Sequence, residues 1–227
     1  MELTDSNNRA ELMGTLEGEP VFSHEIYGEA FYLLMLCVPR LSGAADHIRV
    51  IASERLLSCG DISDGENITV IGQFRSYNAV EGGTSKLILS VFARDIYPAE
   101  ACTPDNPNTL YLNGFICKEP VYRTTPFGRE ICDMMIAVNR AFGKSDYLPC
   151  IAWGRNAQYA SRFHVGDRVH ITGRLQSREY QKLTESGEYI TRNAYEISAF
   201  TLEADELPPH DPIAPRAQTE AVQTMPN

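Results

Sequence analysis

A chain of 227 residues with 43% hydrophobic and 22% charged side chains can bury two ordinary cores of about 100 residues each, and its composition is that of a globular protein rather than a disordered one. No apolar run reaches the ~20 residues that span a bilayer, and Met1–Ala10 is polar where a signal peptide would be apolar, so a cytoplasmic protein without a membrane partner is expected. The net charge of −10 excludes a uniformly basic polyanion binder.

Residues 14–55 overlay residues 114–155 without a gap, and 13 of these 42 positions are identical, among them Gly14/Gly114, Pro20/Pro120, Arg40/Arg140, Asp46/Asp146 and Arg55/Arg155. With one extra residue inserted, Gly65, Gly72 and Ser76 fall on Gly166, Gly173 and Ser177. The chain is therefore read as two copies of one domain.

In chain order, the first copy (1–100) reads as five short strands near Arg9–Pro20, Ala30–Arg40, His47–Ser53, Ile68–Tyr77 and Lys86–Ile96. The segment Ala101–Asn108 contains two prolines and is the linker. The second copy (108–204) reads as strands near Leu110–Tyr122, Glu130–Arg140, Tyr147–Trp153, Arg168–Tyr180 and Tyr189–Leu202. Within it, Val169, Ile171 and Leu175 share one parity and His170, Thr172 and Arg174 the other, as in a strand buried on one face. Asn156–Phe163 suits a short helix capped by Asn156, ended by the turn Val165–Asp167. Gly82-Gly83 and Ser186-Gly187 sit at hairpin tips. Five strands with a short helix after the third predict an all-β chain of two tandem OB-folds, small Greek-key barrels. The segment 205–227 contains five prolines and reads as a disordered tail.

The copies differ in chemistry. Where the second has Phe142, Tyr147, Trp153 and Tyr180, the first has Ser42, His47, Ser53 and Ala79. Residues 1–103 hold 7 Lys/Arg against 15 Asp/Glu, whereas residues 104–207 hold 12 against 13. Lys118, Arg123, Arg129, Lys144, Arg155, Arg174, Arg178 and Arg192 face Gly18, Ser23, Glu29, Ala44, Arg55, Gln73, Tyr77 and Lys86 in the first copy, so only two of eight cations survive there. OB-folds hold single strands by stacking bases on aromatic platforms along a cationic groove. The joint loss of rings and cations marks the second copy as the nucleic-acid-binding one. A structural reading of Trp153 as core predicts a large apolar residue at its counterpart, which is Ser53.

The runs Tyr111–Arg123, Ile136–Phe142, Cys150–Ala157 and Gly173–Tyr180 resemble, in order and spacing, those of bacterial single-stranded-DNA-binding proteins. The first copy resembles that family weakly, through Gly14, Pro20, Gly28 and its strand pattern. The resemblance implies base stacking at Phe142, Tyr147, Trp153 and Tyr180, and a part in replication, recombination or repair in association with the nucleoid. It also implies a homodimer of four folds, since family members with two folds in one chain form dimers. Members of the family usually end in an acidic tip finished by phenylalanine that recruits replication and repair partners; here the chain ends Gln218–Asn227 without one. An OB-fold adaptor with weak DNA affinity and a single-stranded RNA binder are the alternatives.

No catalytic constellation, cofactor motif or metal-ligand spacing emerges: the five histidines are scattered and the acid pair Asp61/Asp64 has no nucleophile beside it. A non-enzyme without cofactor or metal is expected. The six cysteines form no CxxC pair and lie mostly in apolar strands, so they read as buried thiols.

Overall fold

The computed structural model describes residues 7–58, 62–81, 84–99, 108–183, 187 and 189–205. The first barrel comprises β1 (Asn8–Ile26), β2 (Glu29–Pro39), β3 (Ala45–Ser53), a one-turn helix α1 (Glu54–Leu57), β4 (Asn67–Glu81) and β5 (Thr84–Pro98). The second comprises β6 (Asn108–Ile116), β7 (Val121–Thr124), β8 (Glu130–Asn139), β9 (Ser145–Trp153), α2 (Arg155–Ala160), β10 (Arg168–Leu183) and β11 (Tyr189–Ala204). Each ring closes in the OB manner: β1-β2-β3-β5-β4 and back to β1, and β6-β8-β9-β11-β10 and back to β6. The parallel contacts β3–β5 and β9–β11 are the Greek-key closures. Among the described residues no helix is long and apolar enough to cross a membrane.

Alternation sets the walls. Val169, Ile171 and Leu175 are buried as their parity predicts, and they join Leu112, Ile136 and Leu148 inside the second barrel. Phe163, after α2, is 1% exposed and plugs that core, with Tyr159 edge-on to it at 5.0 Å. Phe74, 1% exposed, fills the core of the first barrel. Fully burying each such side chain contributes about 1.5–3 kcal/mol.

Three local readings are corrected. The opening strand of the second copy, expected over Leu110–Tyr122, is two strands, β6 and β7, interrupted at 117–120, where Pro120 can donate no ladder hydrogen bond. At the matching place in the first copy the chain absorbs Glu19-Pro20 as an irregularity between Glu17 and Val21, and β1 runs on to Ile26. The helix begins at Arg155 after Gly154, whose φ of 55° turns the chain out of β9, and it has no side-chain cap. Asn156 instead donates its Nδ2 to the Phe200 carbonyl at 2.9 Å, pinning the helix to β11. Of the hairpin-tip glycines, Gly187 has φ 82°, while Gly82 and Gly83 lie outside the described residues. The linker up to Pro107 and residues 206–227 also lie outside them.

The barrels share one sheet. β1 pairs with β6 antiparallel, Asn8 opposite Leu112 and Leu12 opposite Asn108, so Ala10 and Leu110 lie on a pseudo-twofold axis. Around it, identities between the copies form a reciprocal lock. Asp146, 1% exposed, accepts the Ser76 backbone N–H at 2.6 Å, while Asp46, equally buried, accepts that of Ser177 at 2.7 Å. Arg140 donates to the Ser76 carbonyl at 2.7 Å and Arg40 to that of Ser177 at 3.2 Å. Each arginine also forks onto its own domain's aspartate, Arg140 on Asp146 and Arg40 on Asp46. The serine hydroxyls complete the exchange, accepting the Tyr147 N–H at 2.8 Å and the His47 N–H at 2.9 Å. Buried charges persist only when paired and hydrogen-bonded, a condition met here on both sides of the axis.

Candidate nucleic-acid interface

Strand β9 and its two ends carry three of the four expected rings. Tyr147, Pro149 and Trp153 share the outward parity of β9, and the six-residue step from Tyr147 to Trp153 sets those positions roughly 20 Å apart along the strand. Tyr147 is 48% exposed and Trp153 38%. Phe142 sits in a 3-10 turn, 141–143, before β9 and is 100% exposed. Its backbone is left-handed, with φ 62° and ψ 32°, a conformation that costs a bulky residue about 1–2 kcal/mol. The turn is held by the Arg140 N–H to the Lys144 carbonyl at 2.7 Å. Tyr27 in the first barrel has a similar backbone, with φ 52°, and is equally exposed.

Tyr180 stands on another wall, on the long β10–β11 hairpin opposite Arg192, and is 39% exposed. Arg174, Gln176, Arg178 and Tyr180 share the outward parity of β10. Arg178 is exposed; Arg174 is half-buried, with its Nε lacking a hydrogen-bond partner in the protein. The Arg192 side chain lies outside the described ones.

The remaining cations divide by their surroundings. Lys144 and Arg155 flank β9 and are exposed, each two residues from a ring, Phe142 and Trp153 respectively. Lys118, in the break between β6 and β7, and Arg129, before β8, are also exposed. Arg123 lies in one row with Ile131 and Trp153 across β7, β8 and β9, its backbone roughly 10 Å from that of Trp153 by strand spacing. Its Nε meets Asp133 at 2.6 Å, and this bond raises the guanidinium pKa further. A phosphate at Arg123 would have to compete with that carboxylate.

Further exposed rings escaped the sequence comparison. Phe127, in the β7–β8 turn, is 92% exposed, and Tyr122 on β7 is 41% exposed. Their counterparts in the first copy, Tyr27 and Phe22, are aromatic as well, so a criterion built on differences between copies passes over them. Tyr122 donates its hydroxyl to Glu130 at 2.5 Å, which pushes its phenol pKa upward.

In the first barrel the equivalent wall lacks these four rings, and its matching cation is paired. Arg55, the counterpart of Arg155, donates Nε and Nη2 to the two carboxylate oxygens of Glu29, both at 2.9 Å, and this pairing lowers the Glu29 pKa. His47, at the place of Tyr147, contacts Glu17 at 2.7 Å.

The Single-strand binding protein family matches residues 107–204. Single-stranded DNA-binding protein 1 of Staphylococcus aureus is 32% identical over 91 residues, covering 37% of this chain and 54% of that protein. Single-stranded DNA-binding protein A of Bacillus subtilis is 31% identical over 91 residues, covering 37% and 53%. The match thus spans about half the length of these relatives. Similarity to the solved single-stranded DNA binding protein of Thermus aquaticus extends over both barrels, with a TM-score of 0.70, 25% identity and coverage of 92% of this chain and 98% of that one. The second barrel thus matches the single-strand binding protein family in sequence over residues 107–204, and both barrels together are similar in architecture to a solved single-stranded DNA binding protein, within a chain of two tandem OB-folds.

Proposed function

We propose that the protein binds single-stranded DNA through its second OB-fold. The observation that carries this reading is the row of exposed rings on and beside β9, Phe142, Tyr147 and Trp153, with Lys144 and Arg155 interleaved. A strand laid along β9 stacks its bases on the rings while its phosphates meet the cations, with Lys118, Arg129, Arg174, Arg178 and Arg192 extending the path and Arg123 exchanging its carboxylate for phosphate. Stacking contributes about 1–3 kcal/mol per base and is indifferent to base identity, so sequence preference is weak. Duplex DNA, its bases already stacked, binds poorly. The related proteins above, named for single-stranded DNA binding, support the same substrate.

In this reading the first barrel is a structural partner that holds β9 through the reciprocal lock, and its net negative charge disfavours a second path for the strand. Two such chains make a dimer of four folds, and the setting is replication, recombination or repair. Trp153, the single tryptophan, provides the assay. Titration with oligo-dT is expected to quench its fluorescence, with the affinity falling as salt rises and a duplex control leaving emission unchanged. Absence of both quenching and a gel shift would reject the reading in favour of an adaptor. Competition by a matched RNA oligomer separates DNA from RNA, and sedimentation equilibrium reads the dimer.

A further inference from the structure

The first barrel carries its own chemistry on the wall that corresponds to the stacking wall of the second. Cys37 on β2 lies directly opposite His47 on β3, and on its other flank opposite Thr15 on β1. Glu17, two residues along β1 from Thr15, points to the same outward face. One ligand atom from each of Glu17, Cys37 and His47 lies within 4.8 Å of the others. In the second barrel the same three positions are Cys117, Ala137 and Tyr147. The place of a stacking tyrosine is thus taken by an imidazole, with a thiol and a carboxylate beside it.

We propose that Glu17, Cys37 and His47 form a binding site for a divalent ion of the zinc class. The donor set is mixed: a thiolate, an imidazole Nδ1 and a carboxylate oxygen, which suits Zn²⁺ and its analogue Co²⁺ and disfavours the all-oxygen ions Mg²⁺ and Ca²⁺. Nδ1 of His47 and Oε2 of Glu17 are 2.7 Å apart, closer than two ligands of one tetrahedral ion, so the ion enters between them and replaces their mutual hydrogen bond. The side chains of His47 and Glu17 are 41% and 42% exposed, leaving a path from solvent. Three protein donors leave one position open to water or an added donor. The ion would tie β1, β2 and β3 together beside the inter-barrel lock, because the backbone N–H of His47 itself donates to Ser177. Binding requires a neutral imidazole and a thiolate, so it releases protons and weakens as pH falls.

The test uses the full chain, reduced and stripped with chelator, then titrated with Co²⁺ alone. One equivalent is expected to bring up a thiolate-to-cobalt charge-transfer band in the near ultraviolet, displaced by Zn²⁺ and not by Mg²⁺. Cys37→Ala is expected to abolish the band, and His47→Tyr, which installs the residue the second barrel carries at this position, to weaken binding at least tenfold without unfolding the barrel. Cys117→Ala is expected to leave the band intact. No band in the unmutated chain, or a band that survives Cys37→Ala or disappears with Cys117→Ala, overturns the proposal and leaves Glu17–His47 as a simple hydrogen bond.

Discussion

Trp153 and Phe142 present rings to solvent for different structural reasons, and the two make separable predictions. Trp153 ends β9 at 38% exposure, its other side resting on the barrel. Trp153→Ala is therefore expected to weaken oligo-dT binding by about 1–3 kcal/mol, measured by anisotropy of a labelled oligomer, with a small loss of stability. Phe142 buries nothing and holds a left-handed backbone that glycine adopts freely. Phe142→Gly is expected to weaken binding by a similar amount while the thermal midpoint stays level or rises. A fall in both would show that the ring packs rather than waits for a base. The thiols give a third residue-scale prediction. Burial, assisted by Asp133, pushes Cys132 up from 9.0 to about 11, and burial raises Cys150 as well. A raised thiol pKa means the folded state resists ionisation, so its contribution to stability is whole below about pH 9 and is lost as pH climbs toward 11. Denaturant midpoints are expected to drop over that window, less so in Cys132→Ala, and native Cys132 and Cys150 to resist thiol reagents at pH 8.

Among the elements, glycines that permit close approach were legible only as shared letters. Gly173 and Gly72 fall on one another across the copies, and each sits where β10 or β4 kinks against its hairpin partner. A Cβ on Gly173 would stand 2.4 Å from the Ser198 carbonyl oxygen, and one on Gly72 2.3 Å from that of Phe92. Gly173→Ala is expected to cost about 1–3 kcal/mol, read from chemical denaturation, as the strand is forced outward at its bend. Strand positions and the barrel class followed from alternation, because one buried wall imposes period two on the chain. The break at Pro120 and the missing cap at Asn156 did not follow. The first depends on whether a neighbouring strand needs the absent N–H, and the second on a carbonyl of β11 more than forty residues away. The rings of β9 were visible because the other copy lacks them; Phe127 was invisible because the other copy keeps Tyr27.

At the scale of the whole molecule, the two barrels share one sheet, and an aspartate from each side enters its neighbour. Asp146→Asn removes the charge that pairs Arg140 and reaches the Ser76 backbone, and loss of one partner of a buried pair costs about 3–5 kcal/mol. Calorimetry is expected to show a single transition for the unmutated chain and a split one for Asp146→Asn, with the barrels melting apart. A single unsplit transition at unchanged temperature would mean that the β1–β6 pairing alone holds the halves together. The clustering of Arg40/Arg140, Asp46/Asp146 and Ser76/Ser177 at this junction also explains why those letters match between copies. The sequence offered them as signs of a repeated fold, but which surface they occupy became apparent only in three dimensions.

The pseudo-twofold axis through Ala10 and Leu110 has a consequence for inheritance. In an assembly of identical chains, a contact of this kind is isologous, and any substitution strikes both sides of the axis together. Joined in one chain, the two sides are written separately. Matched letters can be retained where the halves embrace, while the outer walls come to differ in chemistry: rings and cations on one, a histidine, a cysteine and an acid on the other. Fusion turns a symmetric partnership into a division of labour without disturbing the seam that made it.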